Sequence, residues 1–240
     1  MTQQPLLKSS WDSIARAIEY TDLRKTVTYR DVETMCLEAV HYGIGTILVP
    51  SALIARAVAC CEDEGPSIAS VLSYPFGTQS ACVKSCEAAV AVEQGVRELD
   101  VVPHFGAILA NRWDDVHREL SSIRKASDNV PLKLVLETGR LTTEQLQGAC
   151  SVAVDSGFQY VVNTVAFRLV STDPNAEGTA SVGIIRSLLE LASNQLRVKA
   201  AGGVSSLHQA RNLLEAGAQR VAIAMSPGLL RAMHSEQGAK

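Results

Sequence analysis

The stretch RVKAAGGVSSLHQARNLLEAGAQRVAIAMS, residues 197–226, contains one complete strand–helix–strand unit. Its two apolar ends, RVKAAGG and RVAIAMS, have the composition of buried strands. Between them Ala210, Leu213 and Leu214 repeat at helical spacing, which predicts an outer helix that packs one face on the strands. Gly217 follows this pattern, where helices often end in a left-handed residue. The stretch therefore predicts two strands joined by a helix.

The same alternation continues along the whole chain. Eight apolar runs predict strands: ARAIEYT, GTILVPS, SIASVLSY, RELDVVPHF, LKLVLETG, QYVVNTVAF, RVKAAGG and RVAIAMS. Helical patterns lie between them, and three more end in glycine, at Gly43, Gly95 and Gly157. Eight such units predict a fold of the α/β class, a (β/α)8 TIM barrel formed by residues 1–240 as a single domain, with a short N-terminal helix around Trp11. A doubly wound sheet is the alternative, but it usually has fewer units.

The composition excludes several classes of function. The chain is 47% hydrophobic and 20% charged, and its net charge of −3 gives no basic surface for nucleic acid. Its apolar runs are too short to cross a membrane, and the N-terminus lacks the pattern of a signal peptide, so a cytoplasmic location is expected. The six cysteines are expected to be packing residues, and no metal or other cofactor is predicted.

Three motifs, RELDVV, LKLVLETG and VKAAGG, occur in an order and spacing that resemble the deoxyribose-phosphate aldolases. IEYTDL and YPFGTQSACVK extend this resemblance to residues 16–225. The resemblance implies a (β/α)8 barrel and a class I aldolase, in which one lysine forms a Schiff base with the substrate while a second lysine and an aspartate move protons. It also implies a homodimer or a higher homo-oligomer.

When the functional residues of this family are carried over to the matching positions of this sequence, some are retained and others are replaced. The proton-relay lysine falls on Lys199 and the aspartate on Asp100, and Thr21 matches a threonine of the first strand. Glu19 stands where the family has an aspartate. The Schiff-base lysine falls on Val162, which cannot form an imine. Deoxyribose-phosphate aldolase activity itself is therefore not expected.

The phosphate site of the family is also altered. Its paired serines fall on Ala224 and Met225, although Ser226 follows directly, and Gly202 and Gly203 remain as possible backbone donors. The active-site cysteine of the family falls on Leu48, one of its glycines on Ala166 and one of its asparagines on His104. The residues predicted to contact the substrate are Glu19, Thr21, Leu48, Glu137, Val162, Asn163, Thr164, Arg168, Gly202, Gly203, Met225 and Ser226.

Lys199 is the first candidate for a relocated nucleophile. Its strand parity matches that of Ala201, and the resemblance places it inside the barrel. Apolar neighbours at Leu48, Val162 and Met225 would exclude water, which lowers the pKa of a lysine and makes its amine nucleophilic. The alternative is that Lys199 only forms an ion pair with Asp100.

Three further residues complete the predicted catalytic set. Lys133 is a second interior amine, and it is expected to form an ion network with Glu137, which has the same strand parity. Asp100 and His104 lie four residues apart on one strand and its exit, so both are expected to face the mouth and transfer protons. His104 has the alternative of a surface position.

These residues support three hypotheses. The first is an aldolase-like lyase that makes or breaks a C–C bond next to a carbonyl of a small molecule less polar than a sugar phosphate, with Lys199 as nucleophile. The second is an isomerase, dehydratase or cyclase in which Lys199 stabilises an enolate as a cation. The third is a barrel without catalytic activity that binds a small molecule or a protein partner.

Overall fold

The eight predicted strands close into one parallel barrel. The computed structural model describes residues 10–61, 65–166 and 179–238. Each strand pairs with the next in chain order, and the last pairs with the first. The strands are β1 (Ile18–Thr21), β2 (Thr46–Val49), β3 (Ser67–Leu72), β4 (Glu98–Val101), β5 (Leu132–Val135), β6 (Tyr160–Val162), β7 (Arg197–Ala200) and β8 (Arg220–Ala224). The predicted TIM barrel is confirmed.

Helices surround this barrel and cover the outer faces of its strands. They are α1 (Trp11–Ala17), α2 (Tyr29–Tyr42), α3 (Ile54–Cys60), α4 (Ala81–Glu93), α5 (Phe105–Leu109), α6 (Trp113–Ala126), α7 (Thr143–Asp155), α8 (Val182–Leu191), α9 (Leu207–Glu215) and α10 (Leu229–Gly238). In the described part of the chain, no helix combines the length and the apolar character that a bilayer crossing requires. The predicted N-terminal helix begins at Trp11, whose indole N–H donates to the Tyr42 carbonyl at 2.8 Å.

The glycines predicted to end helices do so. Gly43, Gly95, Gly157 and Gly217 have φ values of 69°, 100°, 73° and 111°. This left-handed region is unfavourable for residues with a Cβ. At Gly217 an added Cβ would also lie 2.6 Å from a methyl group of Leu189.

The boundaries of three predicted strands and the burial of some cysteines differ from expectation. The run ARAIEYT is divided, because Ala15 and Ala17 belong to α1 and the strand begins at Ile18. RELDVVPHF and QYVVNTVAF continue past Val101 and Val162, where their strands end. Val102, Val165 and Ala166 lie in the loops that follow, Phe105 is the first residue of α5, and Phe167 lies outside the described residues. Cys36 and Cys150 are buried as predicted, Cys60 and Cys61 are half-buried, and Cys82 and Cys86 are exposed on α4.

Apolar side chains pack in two separate places. The main core lies between the strands and the helices. A smaller cluster lies inside the barrel and consists of Val71, Val102, Val135, Val162 and Ala201. Because alternate residues of a barrel strand point inward, this cluster shares the interior with charged residues from the same strands. Those charged residues form the candidate site.

Candidate active site

Lys199 lies inside the barrel, where β7 brings it against carboxylates of two other strands. Its ammonium nitrogen contacts Glu19 of β1 and Asp100 of β4. Its side chain is 3% exposed. Three strands that are distant in sequence thus meet at this nitrogen, and the inward parity predicted for Lys199 is confirmed.

Lys133 extends this group of charges into a network. Its Nζ lies 2.9 Å from Glu19 Oε2, 3.0 Å from Asp100 Oδ1 and 2.8 Å from Glu98 Oε2. The guanidinium of Arg220 contacts the other oxygen of Glu98 at 3.1 Å. The network thus contains three cationic side chains and three carboxylates: Lys133, Lys199 and Arg220, and Glu19, Glu98 and Asp100. Buried charges are tolerated when they are paired in this way.

The two lysines differ in how their surroundings change their pKa. Burial lowers the pKa of Lys199 well below the usual value, and the positive charge of Arg220 acts in the same direction. The carboxylates that Lys199 contacts oppose this change. Burial also acts to lower the pKa of Lys133, but Asp100 and Glu98 outweigh it, and the pKa of Lys133 is raised. Lys133 therefore stays an ammonium, whereas Lys199 has access to the free amine.

Asp100 is the natural partner for the proton of Lys199. Burial raises the pKa of the Asp100 carboxyl, although the charge of Lys133 acts in the opposite direction. A shift of one proton from Lys199 to Asp100 leaves the total charge of the network unchanged. The network can therefore hold Lys199 as an amine beside a protonated Asp100 without an uncompensated charge.

A cavity of about 410 Å³ opens above these two residues at the C-terminal ends of the strands. TIM barrels have their active sites at this end. The residues predicted from the sequence that line it are Thr21, Leu48, Asp100, Thr164, Lys199, Gly202, Gly203 and Ser226. Further wall residues, which include Val71, Val135, Ala222 and Ala224, are apolar or small. Lys199 and Asp100 are the charged residues among those that line the cavity.

The turn after β7 forms one side of the rim. Gly202 and Gly203 have φ values of 92° and 74°, which other residues rarely adopt. The carbonyl of Gly202 accepts from the N–H of Ala180 at 2.9 Å, and a Cβ on Gly203 would lie 2.6 Å from Thr179 Cγ2. Glycine is therefore required here both by the backbone conformation and by the close approach of the neighbouring segment.

The expectation that His104 faces this cavity with Asp100 is wrong. β4 ends at Val101, and His104 lies at the start of α5, where its backbone N–H donates to the Glu119 carboxylate at 3.2 Å. Its side chain lines a separate surface cleft together with Gln79. The alternation of a strand does not continue through the loop that follows it.

Glu137 is also placed differently from the prediction. It lies two residues beyond the end of β5 with a φ of 44°, so it does not join Lys133 in the interior network. Its carboxylate accepts from the hydroxyl of Thr164 at 3.0 Å and from the N–H of Val165 at 2.5 Å. Glu137 thus holds the loop after β6 that carries three of the cavity residues.

Four other residues predicted to contact the substrate lie outside the set that lines the cavity. Glu19 is buried in the ion network, and Val162 is buried in the interior apolar cluster. The side-chain amide of Asn163 donates from Nδ2 to the Ala201 carbonyl at 2.9 Å, and its Oδ1 accepts from the Ala201 N–H at 2.7 Å. Met225 follows the end of β8, packs against the main core and lines an adjoining cavity but not the one that Lys199 lines, so its predicted place beside Lys199 is wrong.

Arg168 lies outside the described residues. Within the described ranges, no group of three or more His, Cys, Asp or Glu side chains is arranged to hold a metal ion.

Glu98, Arg220 and Tyr74 belong to the site but are not among the residues predicted from the sequence. Glu98 lies two residues before Asp100, and Arg220 two residues before Ala222, so strand parity was a signal for both. Tyr74 follows β3 and lines the cavity. Burial raises the pKa of Tyr74 to about 12, and the nearby charge of Glu137 adds to this effect. Its hydroxyl is therefore a neutral polar group at the mouth.

Comparison with known proteins identifies the family. No family model matches the chain. The chain is 33% identical over 218 residues to the deoxyribose-phosphate aldolase of Deinococcus radiodurans, which covers 91% of this chain and 96% of the relative. It is 30% identical over 226 residues to that of Carboxydothermus hydrogenoformans, with 92% and 96% covered.

A solved structure agrees with these relatives. The deoxyribose phosphate aldolase of Aeropyrum pernix, described as a unique tetramer, superposes with a TM-score of 0.81 at 25% identity. The superposition covers 96% of this chain and 93% of that one. The sequence identity extends over nearly the full length of these relatives, and the barrel is the one they share. The chain therefore belongs to the deoxyribose-phosphate aldolase family.

Proposed function

We propose that the protein is a lyase that makes or breaks a C–C bond next to a carbonyl through an imine at Lys199. The observation that carries this proposal is the place of the Lys199 amine. It lines the cavity, its pKa is lowered by burial, and it contacts a carboxyl group that can exchange protons with it. Valine stands at position 162, so the amine must come from elsewhere.

The reaction begins when the free amine of Lys199 attacks the carbonyl carbon of the substrate. The carbonyl oxygen receives one proton from Asp100 and a second that the attacking nitrogen releases through Asp100, and it leaves as water, which produces an iminium and an Asp100 carboxylate. In the cleavage direction, the iminium accepts the electron pair of the breaking C–C bond while the Asp100 carboxylate takes the hydroxyl proton of the departing fragment. That fragment leaves as an aldehyde. The remaining enamine regains a proton at carbon, and water then hydrolyses the imine.

We propose a substrate other than deoxyribose 5-phosphate, less polar than a sugar phosphate. Support comes from the cavity wall, where Leu48, Val71 and Val135 present apolar surface and Ala224 stands in place of a serine. Two serines, Ser205 and Ser226, line the cavity, and the Ser205 hydroxyl already donates to Gln209 Oε1 at 3.2 Å. A phosphate held by fewer donors contributes less binding energy for orienting the reacting carbonyl.

Reductive trapping tests the imine. Incubation with small aldehydes and ketones followed by borohydride is expected to fix the substrate on Lys199, which peptide mass mapping would identify. The trapping rate should rise with pH, because only the free amine attacks, and its midpoint should lie well below that of a lysine in an unstructured peptide, because burial lowers the pKa of Lys199. A verified substrate that leaves no adduct on Lys199, or a midpoint at or above that of the peptide, would contradict the proposal.

A second candidate reaction uses Lys199 as a cation. The contact of its nitrogen with both Glu19 and Asp100 favours the ammonium form, which could stabilise an enolate while Asp100 moves a proton. The protein would then be an isomerase, dehydratase or cyclase. Turnover that survives borohydride in the presence of substrate, but is lost in Lys199→Ala, would favour this reaction over the imine.

We also propose that the chain forms a homodimer or a higher homo-oligomer. Support comes from the tetramer of the Aeropyrum pernix relative and from exposed apolar side chains on two outer helices. Leu37 and Val40 of α2 are 73% and 58% exposed, and Val83 and Val90 of α4 are 52% and 46% exposed. Light scattering during size-exclusion chromatography is expected to give a multiple of the chain mass. A single-chain mass at all concentrations would contradict this.

A further inference from the structure

A second cavity adjoins the one that holds Lys199. It has a volume of about 930 Å³, which is within the range of pockets that take drug-sized ligands. The two cavities have seven wall residues in common: Thr21, Leu23, Val71, Tyr74, Val165, Ala166 and Ala224. They are therefore two compartments of one space, and we call the larger one the side compartment.

The side compartment is built by the segments that follow the first three strands. The loop after β1 contributes Val27, the segment after β2 contributes Pro50 and Leu53, and the segment after β3 contributes Pro75. Met225, after β8, adds another apolar side chain. Most of the wall is thus apolar. Burying apolar surface against such a wall is favourable for a ligand.

The charged residues of the side compartment are balanced, and several are already bonded. Asp22 accepts from the Nε of Arg24 at 2.9 Å, and the two side chains form an ion pair. Glu87 accepts from the backbone N–H of Ser73 at 2.9 Å. With Lys25, the wall contains two carboxylates and two cations. This balance favours a neutral ligand group over an anionic or a cationic one.

The side compartment also lies away from the residues that resemble a phosphate site. Gly202, Gly203 and Ser226 line the first cavity but are absent from the wall of the side compartment. A molecule whose reactive carbon lies at Lys199 can therefore extend in either of two directions. One passes the glycine turn, and the other passes Tyr74 and Leu23.

We propose that the side compartment binds a neutral, apolar arm of the carbonyl substrate while the carbonyl carbon lies at Lys199. The substrate class is then an aldehyde or ketone with an alkyl or aryl extension. The position of the carbonyl rests on the proposed function, whereas binding of the arm does not, because it needs only apolar contact.

Unreactive ligands test the arm without the chemistry. Straight-chain primary alcohols from butan-1-ol to octan-1-ol cannot form an imine, and their affinity is measured by calorimetry. Burial of each added methylene should tighten binding about fourfold, which corresponds to about 0.8 kcal/mol. Affinity that does not depend on chain length would overturn the proposal.

A matched pair of variants locates the binding. Ala52 is exposed and lines the side compartment. The bulky side chain of Ala52→Trp should therefore occupy part of this compartment and remove most of the increase in affinity with alcohol chain length. Ala55 is also exposed, lies three residues later on α3 and is not part of either wall, so Ala55→Trp should keep the gain. A steep gain that persists in Ala52→Trp, or is equally lost in Ala55→Trp, would overturn the proposal.

Aldehydes of the same lengths separate this inference from the proposed function. If the alcohols show the gain but borohydride traps none of the aldehydes, the side compartment is supported and imine chemistry fails. If short and long aldehydes are trapped equally well and the alcohols show no gain, the side compartment proposal is overturned and imine chemistry stands.

Discussion

Replacement of Lys199 with Met is expected to abolish the borohydride-trapped adduct and to lower kcat/KM by about 10³-fold or more. Methionine has a similar length and an apolar side chain, so it fills the same space in the barrel but has no amine. The nucleophile and its proton exchange with Asp100 are lost together. The measurement is turnover of a verified carbonyl substrate alongside mass mapping of the reduced protein.

The same variant is expected to be less stable. Removing Lys199 takes a buried partner away from both Glu19 and Asp100, and breaking a buried pair in this way costs about 3–5 kcal/mol. Lost activity could therefore reflect unfolding. Urea unfolding curves recorded at several temperatures identify one at which the variant is folded. Turnover of the variant and of the unchanged protein is compared at that temperature.

Lys133→Met is the matched control. Lys133 belongs to the same network, so its loss should cost about the same stability. It does not line the cavity and its pKa is raised, so the adduct on Lys199 should persist. The reverse pattern, an adduct that persists in Lys199→Met and is lost in folded Lys133→Met, would show that the nucleophile has been assigned to the wrong lysine.

The barrel and the centre of the site could be predicted because both depend on a regular repeat. Apolar runs separated by helical patterns determine the number of strands, and alternation within a strand determines which side chains point inward. Lys133, Lys199 and Asp100 all lie within their strands, and Lys199 and Asp100 are each one residue before the end. For these three residues, parity holds and the structure brings them together.

Three of the errors lie where a strand has already ended. His104 and Glu137 are three and two residues beyond β4 and β5, and Met225 is the first residue after β8. Outside a strand, the direction of a side chain is determined by the hydrogen bonds of its loop. The partners in those bonds are far away in sequence: Glu137 is bonded to residues 27 and 28 positions later. A single sequence contains no periodic signal for such pairs.

Replacement of Val162 with Lys is expected to destabilise the protein by about 3 kcal/mol or more near neutral pH. Val162 is 1% exposed among apolar residues inside the barrel, and strand register places it beside Lys199. The carboxylates nearby are already paired with Lys133 and Lys199. The new ammonium would therefore be buried as a fourth cation against three carboxylates.

The pH dependence of this destabilisation distinguishes the effect of the buried charge from the effect of the longer side chain. Burial should lower the pKa of the introduced lysine, so the unfolded chain binds more protons between that lowered pKa and the usual value of about 10.4. Stability of Val162→Lys should therefore rise with pH through this window, relative to Val162→Met, which has a similar length and no charge. Urea unfolding near pH 7 and pH 9.5 measures the difference, and equal stability of the two variants near pH 7 would contradict the expected burial.

Cleavage of deoxyribose 5-phosphate should remain weak in Val162→Lys, because Leu48 and Ala224 still line the cavity and the hydroxyl of Ser205, at the glycine turn, is already bonded to Gln209. Efficient cleavage by this variant would mean that the missing amine on β6, and not the apolar wall, is what separates this chain from that substrate.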